Sequence, residues 1–382
     1  MRTIRLLSVL VVIATLLPLA GCAGGGGSKT IKIGVIAPMT GDVKTFGEST
    51  KNGVELAVEE WNAKGGLLGK QIEIVLADDK NDAAEATAAA TKLIQQDKVK
   101  FIVGSVASKC SIPISDVCNK NKVVMISGTS TNPKVTVADG VLKEYAFRAC
   151  FIDPPQGTAM AKFATESLGV KTAAVFYDNG NDYVKGLAEF FKAAFEARGG
   201  KVTAFEAYAQ TDTDFTALLT KVMAEPPDML YIPDYYNMVN LISQQARAAG
   251  FKGILAGGDG WDSSQLDVKA TDGGYFTNHY AADDPRPEVQ NWVARYKAKY
   301  GSVPDALATL GYDAANLLLN AIKTANSEDP VKVKDALAAT KDFPTVSGTI
   351  SFDENHNPTN KDIVVLQVKE GKFVHVATLK PE

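Results

Sequence analysis

Five stretches at the ends of apolar runs hold side chains that could bind or react with a polar ligand. In "GSVASKCS" Ser108 stands where a strand gives way to a helix, so its hydroxyl lies beside backbone N–H groups whose helix dipole favours an anion. "ISGTSTNP" repeats the arrangement one strand later with Thr129, Ser130 and Thr131. Together the two read as a cradle for a carboxylate or phosphate, although each hydroxyl taken singly is equally explained as a helix cap. Further along come acids and aromatics: Asp178 and Tyr183 after "AAVFYD", Asp234, Tyr235 and Tyr236 after "MLYIP", and Asp259 after "GILAGG". Tyrosine offers an apolar wall and a hydroxyl at once, which suits a site holding both a side chain and an ammonium. Anion-favouring groups thus lie in one half and cation-favouring groups in the other, and a zwitterion fits between them. Within "LAGGDGWDS", Asp259 reads as a counter-charge, an acid or base, or a turn residue, and Trp261 as pocket wall or closing rim.

Other chemistries lack their residues. Gly41 and Gly47 after the first strand do not make the closely spaced glycines that bring a backbone onto a dinucleotide pyrophosphate. There is no Gly-x-Ser-x-Gly elbow, His-Glu-x-x-His pair or Walker lysine, so hydrolase, zinc-protease and nucleotidase readings rest on nothing, and neither cofactor nor metal is expected. Asp353, Asn355 and Asn357 hint at a calcium loop, but Pro358 and Val364 stand where an EF-hand needs glycine and glutamate. A net charge of −4 with three histidines argues against nucleic-acid binding.

The elements that must position these residues alternate strand with helix. "IKIGVIAPMTG", "QIEIVLADD", "KFIVGS" and "KVVMISG" are strands, and Val54, Ala57, Val58 and Trp61 fall at helical spacing between the first two. After Asp153 the pattern restarts: helix Thr158 to Leu168, strand "TAAVFYD", helix Tyr183 to Arg198, strand "KVTAFEAY", helix Phe215 to Ala224, strand "DMLYIPD", helix Met238 to Ala249, strand "GILAGG". The expected fold class is α/β, with two doubly wound parallel-sheet lobes, since the chain exceeds what one hydrophobic core usually serves. From Pro285 it turns helical again and ends in "TISFDENHNPTNKDIVVLQV", read as strand, polar turn, strand.

At the start, Arg2 and Arg5 precede an apolar run from Leu6 that reaches Leu19, Ala20, Gly21 and Cys22, the layout of a secretory signal over residues 1–22. That run is shorter than the roughly 20 residues a membrane span needs. Leu-Ala-Gly-Cys resembles a bacterial lipobox, which implies cleavage, lipidation of Cys22 and attachment to a membrane surface. Residues 23–30 read as a glycine-rich flexible tether. Of the remaining cysteines, Cys110 and Cys118 lie about 12 Å apart along one helix, too far for a disulfide, so buried free thiols are expected there and at Cys150.

Taken in order, "IGVIAPMTG", "FGEST", "GVELAVEEWNAKGGLLGKQIEIVLADD", "FIVGSVASKCS", "SGTSTNP" and "QARAAGFKGILAGGDGW" resemble the type I periplasmic binding proteins of the branched-chain amino acid group, the leucine, isoleucine and valine receptors of ABC importers. The resemblance covers nearly all of the mature chain. It implies three crossovers between lobes, near Cys150 to Asp153, His279 to Ala282 and Gly348 to Ser351. One lobe would then comprise residues 30–150 and 282–348 and the other 151–281 and 349–382. It also implies that Ser108, Thr129 and Thr131 hold a ligand's α-carboxylate, with Ser130 beside them. Tyr183 and Tyr235, the latter with Tyr236 as rival, would line the pocket, and Asp259 would receive the α-ammonium. Phe46 stands where the family has tyrosine and Asp259 where it has glutamate; Asp153 and Trp261 complete the candidate set. Polar groups nearby (Thr129, Asn181, Asp182, Asp234) loosen a purely aliphatic assignment. The resemblance implies a non-enzymatic, monomeric receptor that hands an amino acid to ABC permease subunits. The alternatives are a sensor subunit of the same fold and a binder of another small polar amino acid or amide.

Overall fold

The computed structural model describes residues 30–359 and 361–381; the signal, Cys22 and the tether as far as Lys29 lie outside them. Five parallel strands form the first sheet: β1 (Thr30–Ala37), β2 (Gln71–Asp78), β3 (Phe101–Gly104), β4 (Val124–Ser127) and β5 (Ala146–Arg148), in the order β2-β1-β3-β4-β5. Every residue of β3 and β4 is buried, as a parallel sheet covered on both faces requires. Helices α1 (Lys44–Ala63), α2 (Ala83–Gln95) and α3 (Ser108–Asn121) make the crossovers.

The second sheet contains β6 (Thr172–Asp178), β7 (Lys201–Tyr208), β8 (Met229–Tyr231), β9 (Ile254–Gly257), β10 (Tyr275–Asn278), β11 (Ile363–Lys369) and β12 (Lys372–Leu379). Its order is β12-β11-β10-β9-β8-β6-β7, parallel from β7 to β10 and antiparallel for the last two strands. Its helices are α4 (Asp153–Lys162), α5 (Asp182–Ala197), α6 (Thr216–Ala224) and α7 (Tyr236–Ala248). Strand order reverses between β1 and β3 in one sheet and between β6 and β8 in the other. Such switch points open a crevice at the carboxyl ends of the strands, and here the two crevices face each other.

Two expectations need correction. The stretch from Thr349 to Val368 is not one hairpin: Gly348–Ile350 pairs back with Phe343–Thr345, while β11 pairs with β10 and, through Glu370 and Gly371, with β12. Glu370 and Gly371 have φ of 51° and 76°, the pair of positive values a two-residue hairpin turn of matching twist demands. The chain also stays with the first lobe beyond Gly348 to Ser351. Ile350 lies in that lobe's core, and Phe352 and His356 pack on Phe147 at 5.4 and 3.9 Å between centroids. The third crossing therefore falls between His356 and β11, and residues 349–356 belong with the first lobe.

Two local features carry side chains to the cleft. The helix expected from Thr158 begins five residues earlier, because Pro154 and Pro155 occupy first-turn positions where no N–H is required, and this puts Asp153 and Gln156 in its first turn. Helices α8 (Pro287–Tyr300), α9 (Ala306–Ala325) and α10 (Pro330–Ala338) return to the first lobe. There α9 lies directly on α1, since a β-carbon on Gly53 would stand 2.0 Å from the Ala308 carbonyl oxygen. That close crossing delivers Leu307 to the cleft.

Candidate functional site

Between the lobes lies a cavity walled by Phe46, Val106, Ser108, Thr129, Thr131 and Leu307 from the first lobe and Tyr183, Tyr235, Asp259 and Gly260 from the second. About 280 Å³ of this space is not filled by protein atoms, part of it open to solvent. The walls stand close, so an occupant touches both lobes at once. The rims meet as well: Thr45 and Ser263 hydroxyls lie 3.0 Å apart, and the Tyr236 hydroxyl donates to the Asp42 carbonyl at 2.9 Å.

On the first-lobe side, Ser108 is the first residue of α3, whose N-terminus has no side-chain cap. Its Oγ accepts from Asn132 N at 3.2 Å, which leaves the hydroxyl proton for the cavity. The Thr131 hydroxyl is buried and faces the cavity, with the Asp153 carboxyl beside it. Thr129 also faces the cavity, but its hydroxyl donates to the Val106 carbonyl at 2.9 Å, so toward an occupant it is an acceptor. Ser130 does not line the cavity. Its hydroxyl bonds the Val106 carbonyl at 2.9 Å and Ser111 Oγ at 2.7 Å, because neighbours in an extended segment point to opposite sides. The segment is held by Arg148, fully buried, which donates to the carbonyls of Ser130 at 2.8 Å and Asn132 at 2.9 Å.

On the second-lobe side, Asp259 Oδ1 accepts from Gln156 Nε2 at 2.8 Å and from the Tyr183 hydroxyl at 2.9 Å, and Oδ2 lies 3.1 Å from His279 Nε2. Burial works to raise its pKa, but the His279, Gln156 and Tyr183 contacts outweigh burial and hold it below the ordinary aspartate value. The group is an ionised carboxylate at neutral pH. A carboxylate has about four acceptor positions, and the protein fills three. Tyr183 stacks on Tyr235 with rings 5.4 Å apart and 4° from parallel, and Phe46 meets Tyr235 edge-on at 5.7 Å across the lobes. Tyr235 is thus the cavity tyrosine, and Tyr236 serves the rim.

Two other candidates stand apart from the cavity. Trp261 is fully buried, and its indole N–H donates to the Ile232 carbonyl at 2.9 Å beneath the sheet end. A β-carbon on Gly257 would come within 2.0 Å of that indole nitrogen, and one on Gly258 within 2.5 Å of the Tyr183 hydroxyl. The glycines before Asp259 make room for these two rings. Asp153 sits behind the wall beside Thr131; burial, partly offset by the Thr131 hydroxyl, raises its pKa to about 8. Cys22 lies outside the described residues. Cys110, Cys118 and Cys150 are buried free thiols. Sequence reasoning did not find Gln156, His279, Val106 or Leu307. His279 follows β10, and the preference for strand ends would have marked it had that four-residue strand been read.

Among the described residues no cluster of three or more His, Cys, Asp or Glu side chains is placed to hold a metal, and no helix is long and apolar enough to cross a membrane. A family model described as "Periplasmic binding protein" matches residues 30–372. The Leu/Ile/Val-binding protein BraC3 of Rhizobium johnstonii is 33% identical over 348 residues, covering 90% of this chain and 93% of that one. The crystal structure of a leucine binding protein LivK from Thermotoga maritima matches with a TM-score of 0.86 and 41% identity over 92% of this chain and 99% of that one. The branched-chain amino acid substrate binding protein LivJ of Streptococcus pneumoniae, solved with isoleucine, matches with a TM-score of 0.86 and 34% identity over 92% and 100% of the two chains. The chain belongs to the periplasmic binding protein family and is a binding protein, not an enzyme.

Proposed function

We propose that this protein is an extracytoplasmic receptor, lipid-anchored through Cys22, that captures an amino acid with a branched aliphatic side chain between its lobes and delivers it to an ABC permease. The observation that carries the reading is Asp259: an ionised carboxylate with one acceptor position left, directed at a cavity whose opposite wall offers Ser108 and Thr131 as donors. An α-ammonium suits the first and an α-carboxylate the second. The remaining wall, Phe46, Val106, Leu307 and the faces of Tyr183 and Tyr235, is apolar and suits a hydrocarbon side chain. Relatives that bind leucine or isoleucine, by their names, support that choice.

Thermal unfolding of the purified protein against each of the twenty amino acids tests this. A ligand at a thousandfold excess over its Kd adds about 4 kcal/mol of stability. Leucine, isoleucine and valine should raise the midpoint most. Alanine should do so far less, because burying a whole aliphatic side chain contributes about 1.5–3 kcal/mol. A flat response to all twenty would refute amino-acid binding, and a larger shift with a polar amino acid would refute the aliphatic assignment.

A further inference from the structure

His279 lies on the second passage of the chain between lobes, immediately after β10, and its ring packs on the first passage, with Lys361 of the third close enough to act on its charge. It stacks on Phe151 of the first passage with centroids 3.8 Å apart. Lys361, on the third, donates to the Ala149 carbonyl at 2.8 Å and to Ser347 Oγ at 2.7 Å. The residue also stands between two spaces. Nε2 meets Asp259, in the wall of the ligand cavity, while the residue itself lines a different cavity of about 490 Å³ on the hinge side, with Lys361, Ser347, Asp362 and Lys380. Nδ1 is buried and has no partner.

We infer that His279 is a positioning residue for ammonium recognition and couples it to pH: neutral, it orients Asp259; protonated from the hinge side at Nδ1, it competes with the ligand's ammonium for that carboxylate. The inference rests on the ammonium reading proposed above. The charged groups around the ring pull in both directions, and burial decides between them. Burial, together with the Lys361 ammonium, disfavours the imidazolium, and only Asp259 favours it, so the ring is neutral at pH 7. Asp153 and Asp262, near Asp259, have raised pKa values through burial, and the Cys150 thiol is pushed up to about 12. Asp284, Arg286, Asp342, Asp362 and Lys380 line the hinge cavity and complete the set. An ammonium seated on Asp259 lowers the histidine's pKa further, so ligand binding expels a proton from His279. Affinity is therefore full above the histidine's free-state pKa and falls as pH drops through it, by at most about tenfold per pH unit for one proton.

Calorimetric titration of the purified protein with L-leucine between about pH 7.5 and 4.5 tests the coupling, because neither charged group of leucine titrates in that window. Wild type should be flat above about pH 6.5 and lose affinity only in the more acidic part of the range, because burial holds the histidine below its ordinary value. His279→Gln keeps an amide donor for Asp259 but takes up no proton; it should bind within about threefold of wild type at the upper end and lose the acid dependence. His279→Leu, with folding checked by circular dichroism, should bind roughly 12- to 150-fold more weakly at every pH, the cost of one hydrogen bond to a charged group. Identical pH profiles for wild type and His279→Gln would overturn the inference while leaving amino-acid binding intact. Failure of wild type to bind any amino acid would instead overturn the reading beneath it.

Discussion

Removing the Asp259 carboxylate tests the site most directly. In Asp259→Asn the side chain keeps its volume and one carbonyl acceptor but loses the charge. The ligand's ammonium then faces a neutral amide in a wall where Asp259 is only 8% exposed, so water does little to replace the lost attraction. Truncating one partner of a buried, hydrogen-bonded charge pair costs about 2–5 kcal/mol of binding, a factor of roughly 30 to several thousand in Kd at 1.4 kcal/mol per tenfold. Stability without ligand moves separately. Gln156, Tyr183 and His279 all direct polar atoms at Asp259, and each buried donor left unpaired costs about 1–3 kcal/mol. Asp259→Ala should therefore melt lower than Asp259→Asn, while both bind at least about 30-fold more weakly than wild type. Calorimetry with L-leucine and thermal unfolding with and without it separate the two effects. Asp259→Asn binding within about threefold of wild type would refute the assignment of the ammonium to this carboxylate, since even the lower bound above exceeds that change.

The first-lobe wall gives a contrast within a few residues. Ser108→Ala and Thr131→Ala should each weaken leucine binding by roughly 12- to 150-fold, about 1.5–3 kcal/mol for a hydrogen bond to a charged group, with little change in midpoint. Ser130→Ala and Trp261→Phe should do the reverse, lowering the midpoint by removing buried hydrogen bonds to Ser111 and to the Ile232 carbonyl and leaving Kd within about threefold of wild type; a Kd loss as large as that of Thr131→Ala would refute their placement. Asp153 has a folded-state pKa of about 8, above its unfolded value, so the stability it contributes is fully present below the unfolded pKa. That stability is lost as pH rises toward 8, at up to about 1.4 kcal/mol per unit. Asp153→Asn should accordingly melt above wild type at pH 8, with the gap closing toward pH 5, and a pH-independent gap in thermal melts would refute the buried, proton-taking carboxyl.

How far the site was legible follows from what each residue depends on. Ser108, Thr129, Thr131, Tyr183, Tyr235 and Asp259 stand at or just past the carboxyl ends of parallel strands, and parallel order itself was readable from alternating strand and helix. Position along one element therefore sufficed for them. Ser130 was misplaced only because the alternation of an extended segment was not applied to three adjacent hydroxyl residues; Thr129 and Thr131 share a face and Ser130 must take the other. Trp261 was ambiguous because its neighbours are glycines, which suit a ligand's approach and a ring's approach equally, and only the 2.0 Å gap at Gly257 decides for the ring. The residues that went unseen are of another kind. Gln156 sits at the start of a helix advanced by Pro154 and Pro155, Leu307 arrives on a helix that returns from the far side of the second lobe, and His279 works from a passage between lobes. Each reaches the cavity through the docking of elements distant in sequence, and no local pattern encodes that docking. A clamshell that recognises its ligand by closing draws part of its site from the hinge. Those residues are where strand-end reasoning stops, and where coupling between ligand and lobe motion has to be sought.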